Sequence, residues 1–337
     1  MKNKKIISVG VLLILLMSML SGCGNESPKE ILEKNMEESI KVKSAKQDFE
    51  MVLNFEMENT DPSMMPFIQM LNNIKLKGEF ETDSERMSTV GEMGIDLGGM
   101  SYKAKMYVTP EKSVVKLPMI PKYVLINGVI NNEEELNNKE ERIKLSKKLF
   151  KVTMDFIDDE KLQKKDDVIL KTENGDIKVT EISMKFKDKD IKDLMKKIVP
   201  MLLENDSLKK SMYPSIKQQL ITEGIEPTEE EIEKKLEEIK KEFNNNFSEL
   251  DELVTFEKLN LTYSIDKDYH TRKVDFDIKY NMNDKESGQA MSLSLKGTSN
   301  TWGINEPVDV KFPDLNEENS IKIEELANQF MPSIPGQ

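Results

Sequence analysis

"DFEMVLNFEME", residues 48–58, alternates apolar with polar side chains along its length. Phe49, Met51, Leu53, Phe55 and Met57 fall on one side. Asp48, Glu50, Asn54, Glu56 and Glu58 fall on the other, and only Val52 breaks the polar side. A period of two with one greasy and one charged face predicts a half-solvated antiparallel strand.

The pattern recurs further along the chain. Ile74, Leu76 and Phe80 alternate with Lys75, Lys77, Glu79 and Glu81, and Tyr102, Ala104, Met106 and Val108 follow. Asn174-Gly175 is a two-residue hairpin signal between Val168–Thr172 and Ile177–Phe186. Leu259 to Ile265, Val274 to Tyr280 and Met291 to Leu295 alternate in the same way, and Val308, Val310 and Phe312 close the series. "GEMGIDLGGM" (91–100) lacks the Lys-Ser/Thr of a phosphate loop and reads as a strand connection.

Helical patterns lie between these strands. Ser27-Pro28-Lys29-Glu30 is a capping box with Pro in the first turn, and Leu32, Met36 and Ile40 carry that helix to about Ser44. Residues 132–157, 188–204, 206–222 and 228–250 each carry one apolar stripe, with Pro214 predicting a kink or break in the third. The last stripe approaches heptad spacing and reads as a helix hairpin packed on its neighbour. The class is therefore α+β. About eight to eleven one-sided strands make a sheet wide enough to twist and curl. Its greasy face needs a cover, and the amphipathic helices have the matching stripes. We expect a strongly curved antiparallel sheet, a half-barrel, with helices over its concave face.

The front of the chain has a different character. Lys2, Lys4 and Lys5 precede an apolar run from Ile6 to Leu20, and Ser21, Gly22 and Cys23 follow. This is the layout of a secretory signal, and the run of about 15 residues is short for a membrane span of about 20. Cys23 is the only cysteine, so no disulfide can form within the chain. Removing the three lysines of residues 1–22 leaves 46 basic against 62 acidic residues, a charge of −16. Such a balance argues against nucleic acid or anionic headgroups as main partners. Methionine numbers 22, which suits irregular cores or adaptable apolar pockets, with core filler the commoner meaning.

"LSGC" (Leu20 to Cys23) resembles the lipobox of bacterial lipoproteins. The resemblance implies a diacylglycerol on the Cys23 thiol, cleavage before it, and a chain secreted and lipid-anchored to the outer face of the cell membrane. Lipobox, tether, capped helix and long alternating strand are followed by "YVTP" (107–110) and "WGINEPVDVKFP" (302–313). In this order they resemble Gram-positive lipoproteins of the LolA/LppX-like superfamily. That resemblance implies a half-barrel with helices in its hollow and a site there for lipid or acyl chains. The corresponding organisation is a signal peptide over 1–22 and a lipidated Cys23 with a tether to 27. A domain over 28–315 follows, with helical insertions at about 132–157 and 188–252, and then a C-terminal helix or tail over 316–337.

The chemistry-bearing residues are sparse. His270 is the only histidine, and "DKDYHTRK" reads as an exposed turn. Zinc sites and His-dependent triads lack their parts. "DKDIKD" and "NNEEE" lack calcium-loop spacing, and the first reads as a helix cap at Asp188 or Asp190. We expect no enzyme activity, no cofactor and no metal.

The functional expectation is a non-catalytic lipoprotein that binds a hydrophobic ligand, a lipid or acyl chain, between sheet and helices. The expected pocket is Phe49, Met51, Leu53, Phe55, Leu76, Phe80, Phe276, Ile278 and Leu293. "DPSMMPFIQMLNN" (61–73) holds Met64, Met65, Phe67 and Ile68 in a Pro-bounded connection, which reads equally as a core helix or as a lid. The expected partners are the membrane, through acylated Cys23, and that ligand, with no nucleic acid. Two alternatives remain. One is a structural or protein-interaction lipoprotein. The other is a holdase, since residues 223–243 resemble a helical segment of PrsA-like chaperones.

Overall fold

The computed structural model describes residues 26–58, 62–109, 112–127, 139–172, 175–284, 289–323, 325 and 326. Residues 1–25 with Cys23, Asn174, the start of the 132–157 segment and the end of the tail lie outside the described residues.

Twelve strands and six α-helices form among the described residues. The strands are β1 (Ser44–Glu58), β2 (Ile74–Asp83), β3 (Ser88–Leu97), β4 (Met100–Val108), β5 (Lys112–Lys116), β6 (Tyr123–Asn127), β7 (Leu162–Thr172), β8 (Gly175–Phe186), β9 (Val254–Asp266), β10 (Thr271–Asp284), β11 (Gln289–Trp302) and β12 (Ser320–Lys322). The helices are α1 (Pro28–Ser39), α2 (Met65–Leu71), α3 (Lys139–Phe156), α4 (Asp188–Leu203), α5 (Asp206–Thr222) and α6 (Glu229–Leu253).

All strands join one unclosed sheet in the order β12-β6-β5-β4-β3-β2-β1-β11-β10-β9-β8-β7. It is two antiparallel meanders, β1 to β6 and β7 to β11, fused where β1 pairs β11. Only β12 runs parallel, beside β6. The class is α+β with a large, mostly antiparallel sheet.

The expected capping box forms. The Glu30 N–H donates to Ser27 Oγ at 3.3 Å and the Ser27 N–H to Glu30 Oε2 at 2.7 Å. α1 stops at Ser39 rather than near Ser44, because Ser44 is claimed by the sheet. Its carbonyl accepts from the Asn305 N–H at 2.8 Å. Its hydroxyl donates to the Glu306 carbonyl at 2.5 Å.

Two further expectations are corrected, and Pro214 and the chain after residue 315 are placed. Residues 91–97 are strand, not loop, and the turn is Gly98-Gly99 alone, with φ of 59° and 90°. Both turn positions need φ above zero, so two glycines supply the tightest hairpin. Val308, Val310 and Phe312 form no strand among the described residues, since Pro307 and Pro313 lack the N–H a ladder requires. Phe312 instead packs edge-on against Tyr107, with ring centroids 5.8 Å apart. Pro214 sits inside a continuous α5, where Met212, Tyr213, Ile216 and Leu220 pack on Ile232 and Leu236 of α6 and hold the helix through the missing bond. The 316–337 tail contributes β12, pinned by the Tyr123 N–H donating to the Asn319 carbonyl at 2.8 Å.

The largest fully buried cluster lies toward the β7–β9 end of the sheet, with Val114 and Val124 buried separately on β5 and β6. Ile31 and Leu32 of α1, Met154 of α3 and Ile191 of α4 meet Leu162, Ile182, Met184, Phe186 and Ile265 of β7, β8 and β9. β7 carries a bulge between Lys165 and Val168, with Asp167 at φ 57°. The bulge turns Val168 and Leu170 to the opposite face from Leu162.

Candidate functional site

The strand registers put all nine expected pocket residues on one face. Phe276 pairs with Gly297, Gly297 with Met51, and Met51 with Leu76. Ile278, Leu295 and Leu53 form the next row, and Tyr280, Leu293 and Phe55 the one after. Phe49 faces Gly78, and Phe80 faces Gly91 on β3. Alternation along each strand makes these rows a continuous apolar surface across β10, β11, β1 and β2. It extends through Met93 and Ile95 to Ala104 and Tyr102.

Each of the nine is half-buried, unlike the fully buried side chains at the β7–β9 end of the same face. The aromatic rings lie down on the sheet. An added Cβ on Gly78 would meet Phe49 Cε1 at 2.3 Å, one on Gly91 would meet Phe80 Cδ1 at 2.2 Å, and one on Gly297 would meet Phe276 Cζ at 2.7 Å. Three glycines on neighbouring strands therefore provide the floor for three phenylalanine rings. Sequence reading singled out the rings but not the glycines. Gly78, Gly91 and Gly297 sit inside alternating runs, where a glycine signals close approach by another group. Tyr263 continues this face beside Ile182, and burial pushes its hydroxyl pKa up.

The 61–73 connection is a turn of 3-10 helix followed by α2, which packs against β1. Ile68 is buried there and Met65 is 42% exposed, so this short helix is partly core and partly surface. The side chains of Met64 and Phe67 lie outside the described residues.

Across β1 to β4 the opposite face carries charged pairs between strands. Lys77 meets Glu50 at 2.6 Å and Lys103 meets Glu92 at 2.9 Å. Such solvated pairs contribute little stability but keep that face wet.

A cleft of about 930 Å³ opens where α1 begins beside the β9–β10 turn, lined in part by Glu26, Lys164, Asp166, Lys178, Asp268 and Arg272. Asp266 organises the turn. It accepts from the His270 N–H and the Asp268 N–H, each at 2.9 Å, and from Arg272 Nε at 2.6 Å. His270 is accordingly not an exposed turn residue. Its side chain is 19% exposed, with Nδ1 3.8 Å from Asp266.

Asp190 caps α4 as one of the two expected positions, its carboxylate accepting from the Lys187 N–H at 3.0 Å. Asp188 instead accepts from the Phe256 N–H at 2.8 Å and pairs with Lys192 at 2.9 Å. Among the described residues no group of three or more His, Cys, Asp or Glu is placed to hold a metal ion. No described helix is long and apolar enough to cross a membrane. No family model and no curated protein matches the chain.

Proposed function

We propose that the chain is a non-catalytic lipoprotein, secreted and held at the outer face of the cell membrane through acylated Cys23, that binds a hydrophobic ligand such as a lipid or acyl chain. One observation carries this reading. The apolar face spanning β10, β11, β1 and β2 stays half-buried, while a fully buried cluster joins α1, α3 and α4 to β7, β8 and β9. A face built only as core would be sealed along its whole width. In this reading the sheet curls into a half-barrel with that face concave. Residues 28–315 form the binding domain, with helices over the β7–β9 end of the hollow and α2 beside the central strand β1. The "LSGC" segment supports the anchor. Binding draws on desolvation of the ligand, at about 0.8 kcal/mol per buried CH2.

The test is native mass spectrometry of residues 23–337 with Cys23 replaced by Ser, alongside the denatured mass and a lipid extract of the same sample. A reproducible excess mass, released as lipid on denaturation, supports the reading. A bare mass that takes up no offered lipid overturns it and favours a protein-interaction lipoprotein.

A further inference from the structure

The chain that follows Cys23 is fastened to the folded body almost at once. Tyr269 donates its hydroxyl to Glu26 Oε1 at 3.1 Å, within reach also of Oε2 at 3.2 Å. Lys34 pairs with the same carboxylate and lies over the Tyr269 ring, 5.0 Å from its centroid. Lys164 Nζ donates to the Glu26 backbone carbonyl at 3.0 Å. These partners come from α1, β7 and the β9–β10 turn, so the fastening ties the front of the chain to three separate elements. The turn is itself braced, because Asn35 Nδ2 donates to the Tyr269 carbonyl at 2.7 Å and to Thr271 Oγ1 at 2.9 Å. Lys34 and Tyr269 hold the Glu26 carboxyl below its usual range, against the opposing effect of burial.

Only Gly24 and Asn25 separate Cys23 from Glu26. At about 3.6 Å per residue, the anchored residue stays within about 11 Å of the fastening whatever path those links take. A tether that short keeps the Glu26 corner of the body close to the bilayer.

We infer that the Glu26 fastening sets how the protein stands on the membrane: the rim of the 930 Å³ cleft beside β7, β8 and the β9–β10 turn rests against phospholipid headgroups, and the β12 edge points away. This rests on the lipid-anchor reading above. The rim pairs Lys164 with Asp166 at 3.2 Å, Lys178 with Asp167 at 3.1 Å and Lys267 with Asp268 at 3.3 Å. Exchanging these solvated pairs for the phosphate and amine of a zwitterionic headgroup keeps every charge partnered. The far edge lies eleven strand spacings away, about 50 Å along the sheet at about 4.8 Å each. The orientation presents the apolar face side-on to the bilayer, with its fully packed end nearest the lipid.

The experiment uses the full-length, lipidated protein on phosphatidylcholine vesicles carrying a nitroxide on a fraction of headgroups. A fluorophore is attached at Lys267→Cys beside the cleft, or at Met119→Cys near the far edge, where Met119 is 81% exposed. The expected result is loss of most emission at 267 and little loss at 119, with Glu26→Ala and Tyr269→Phe each reducing the contrast. Flotation with the vesicles and the mass of the N-terminal peptide report the anchor independently. Equal quenching at both sites on a floating, diacylated protein overturns the orientation and leaves the anchor reading intact. A contrast unchanged in both variants overturns the role of the fastening. A protein that neither floats nor carries diacylglycerol overturns the anchor and this inference together.

Discussion

The rings of Phe49 and Phe80 lie within 4° of parallel, their centroids 5.9 Å apart. They belong to adjacent strands but are not directly opposite each other, since Phe49 pairs with Gly78 and Phe80 with Gln47. The offset lets each ring lie over a glycine of the next strand instead of standing up from the sheet. Phe276 repeats the arrangement over Gly297. Laid flat, the rings keep the apolar surface low and continuous.

The glycine floor predicts an order of damage. An alanine Cβ at Gly78 meets only ring atoms of Phe49 and Phe80, which can tilt. At Gly297 it meets the Glu50 carbonyl oxygen at 2.4 Å, which belongs to the ladder and cannot move freely. Overpacking of this kind costs about 1–3 kcal/mol. Gly297→Ala should therefore lower the chemical denaturation midpoint more than Gly78→Ala, and Phe49→Leu should recover much of the Gly78→Ala loss. Equal losses at the two glycines, with no recovery, would contradict the flat-ring geometry.

The turn after β11 supplies a second test. Asn305 adopts φ 61°, donates its backbone N–H to the Ser44 carbonyl at 2.8 Å, and accepts from the Lys43 N–H on its side-chain oxygen at 2.8 Å. Asn305→Gly keeps the left-handed backbone and loses the acceptor. Asn305→Ala loses both. We expect a loss of about 1 kcal/mol for glycine and about 2 for alanine, read from urea unfolding. A neutral alanine variant would show that the clasp between β11 and β1 adds nothing.

Much of this architecture is legible in the sequence, and the misses share a physical cause. β1 is plain because its alternation is long and its faces are chemically opposite. β3 reads as a loop because Gly91 and Gly94 look like breakers, yet Gly91 is there to seat Phe80. Its visible signal is Gly98-Gly99 between Met93-Ile95-Leu97 and Met100-Tyr102-Ala104. Residues 308–312 carry strand periodicity without strand hydrogen bonds, because periodicity reports side chains and the prolines act on the backbone. β12 is three residues long, too short to show a period. In the candidate site the apolar residues are readable one strand at a time. Their union into one surface depends on the β1–β11 pairing, between residues more than 230 positions apart.

Ligand binding on the apolar face should respond to polarity more than to size. Leu293→Asn and Met51→Gln each place an amide on the half-buried surface. If an acyl chain lies there, each should weaken binding of a fatty-acid probe about tenfold, equivalent to about 1.4 kcal/mol. Leu293→Met should change it little. Calorimetric titration separates the cases, and equal affinity across all three variants would move the ligand off this face.

The Lys161–Asp190 pair gives a pH test with a definite sign. The two meet at 2.9 Å, with side-chain exposures of 23% and 18%. Burial raises the Asp190 pKa, but hydrogen bonds from Lys161 and the Lys187 N–H outweigh it and hold the carboxyl below its ordinary 3.8. The bond from Asp190 raises Lys161 above its ordinary 10.5, against the opposing effect of burial. A depressed carboxyl stabilises the fold above its unfolded value, and that contribution is lost as pH falls through the folded value. A raised amine stabilises below its unfolded value and loses that contribution as pH rises through the folded one. Both contributions are therefore fully present between pH 3.8 and 10.5. Asp190→Asn keeps an oxygen for the Lys187 N–H and removes the charge. It should cost about 1 kcal/mol at pH 7. The difference from wild type should shrink as pH is lowered below 3.8, where the native carboxyl takes up its proton. Denaturation midpoints of the two proteins at pH 7 and at pH 3 measure the change. A gap that stays constant between those pH values would show that the charge of Asp190 contributes nothing to stability.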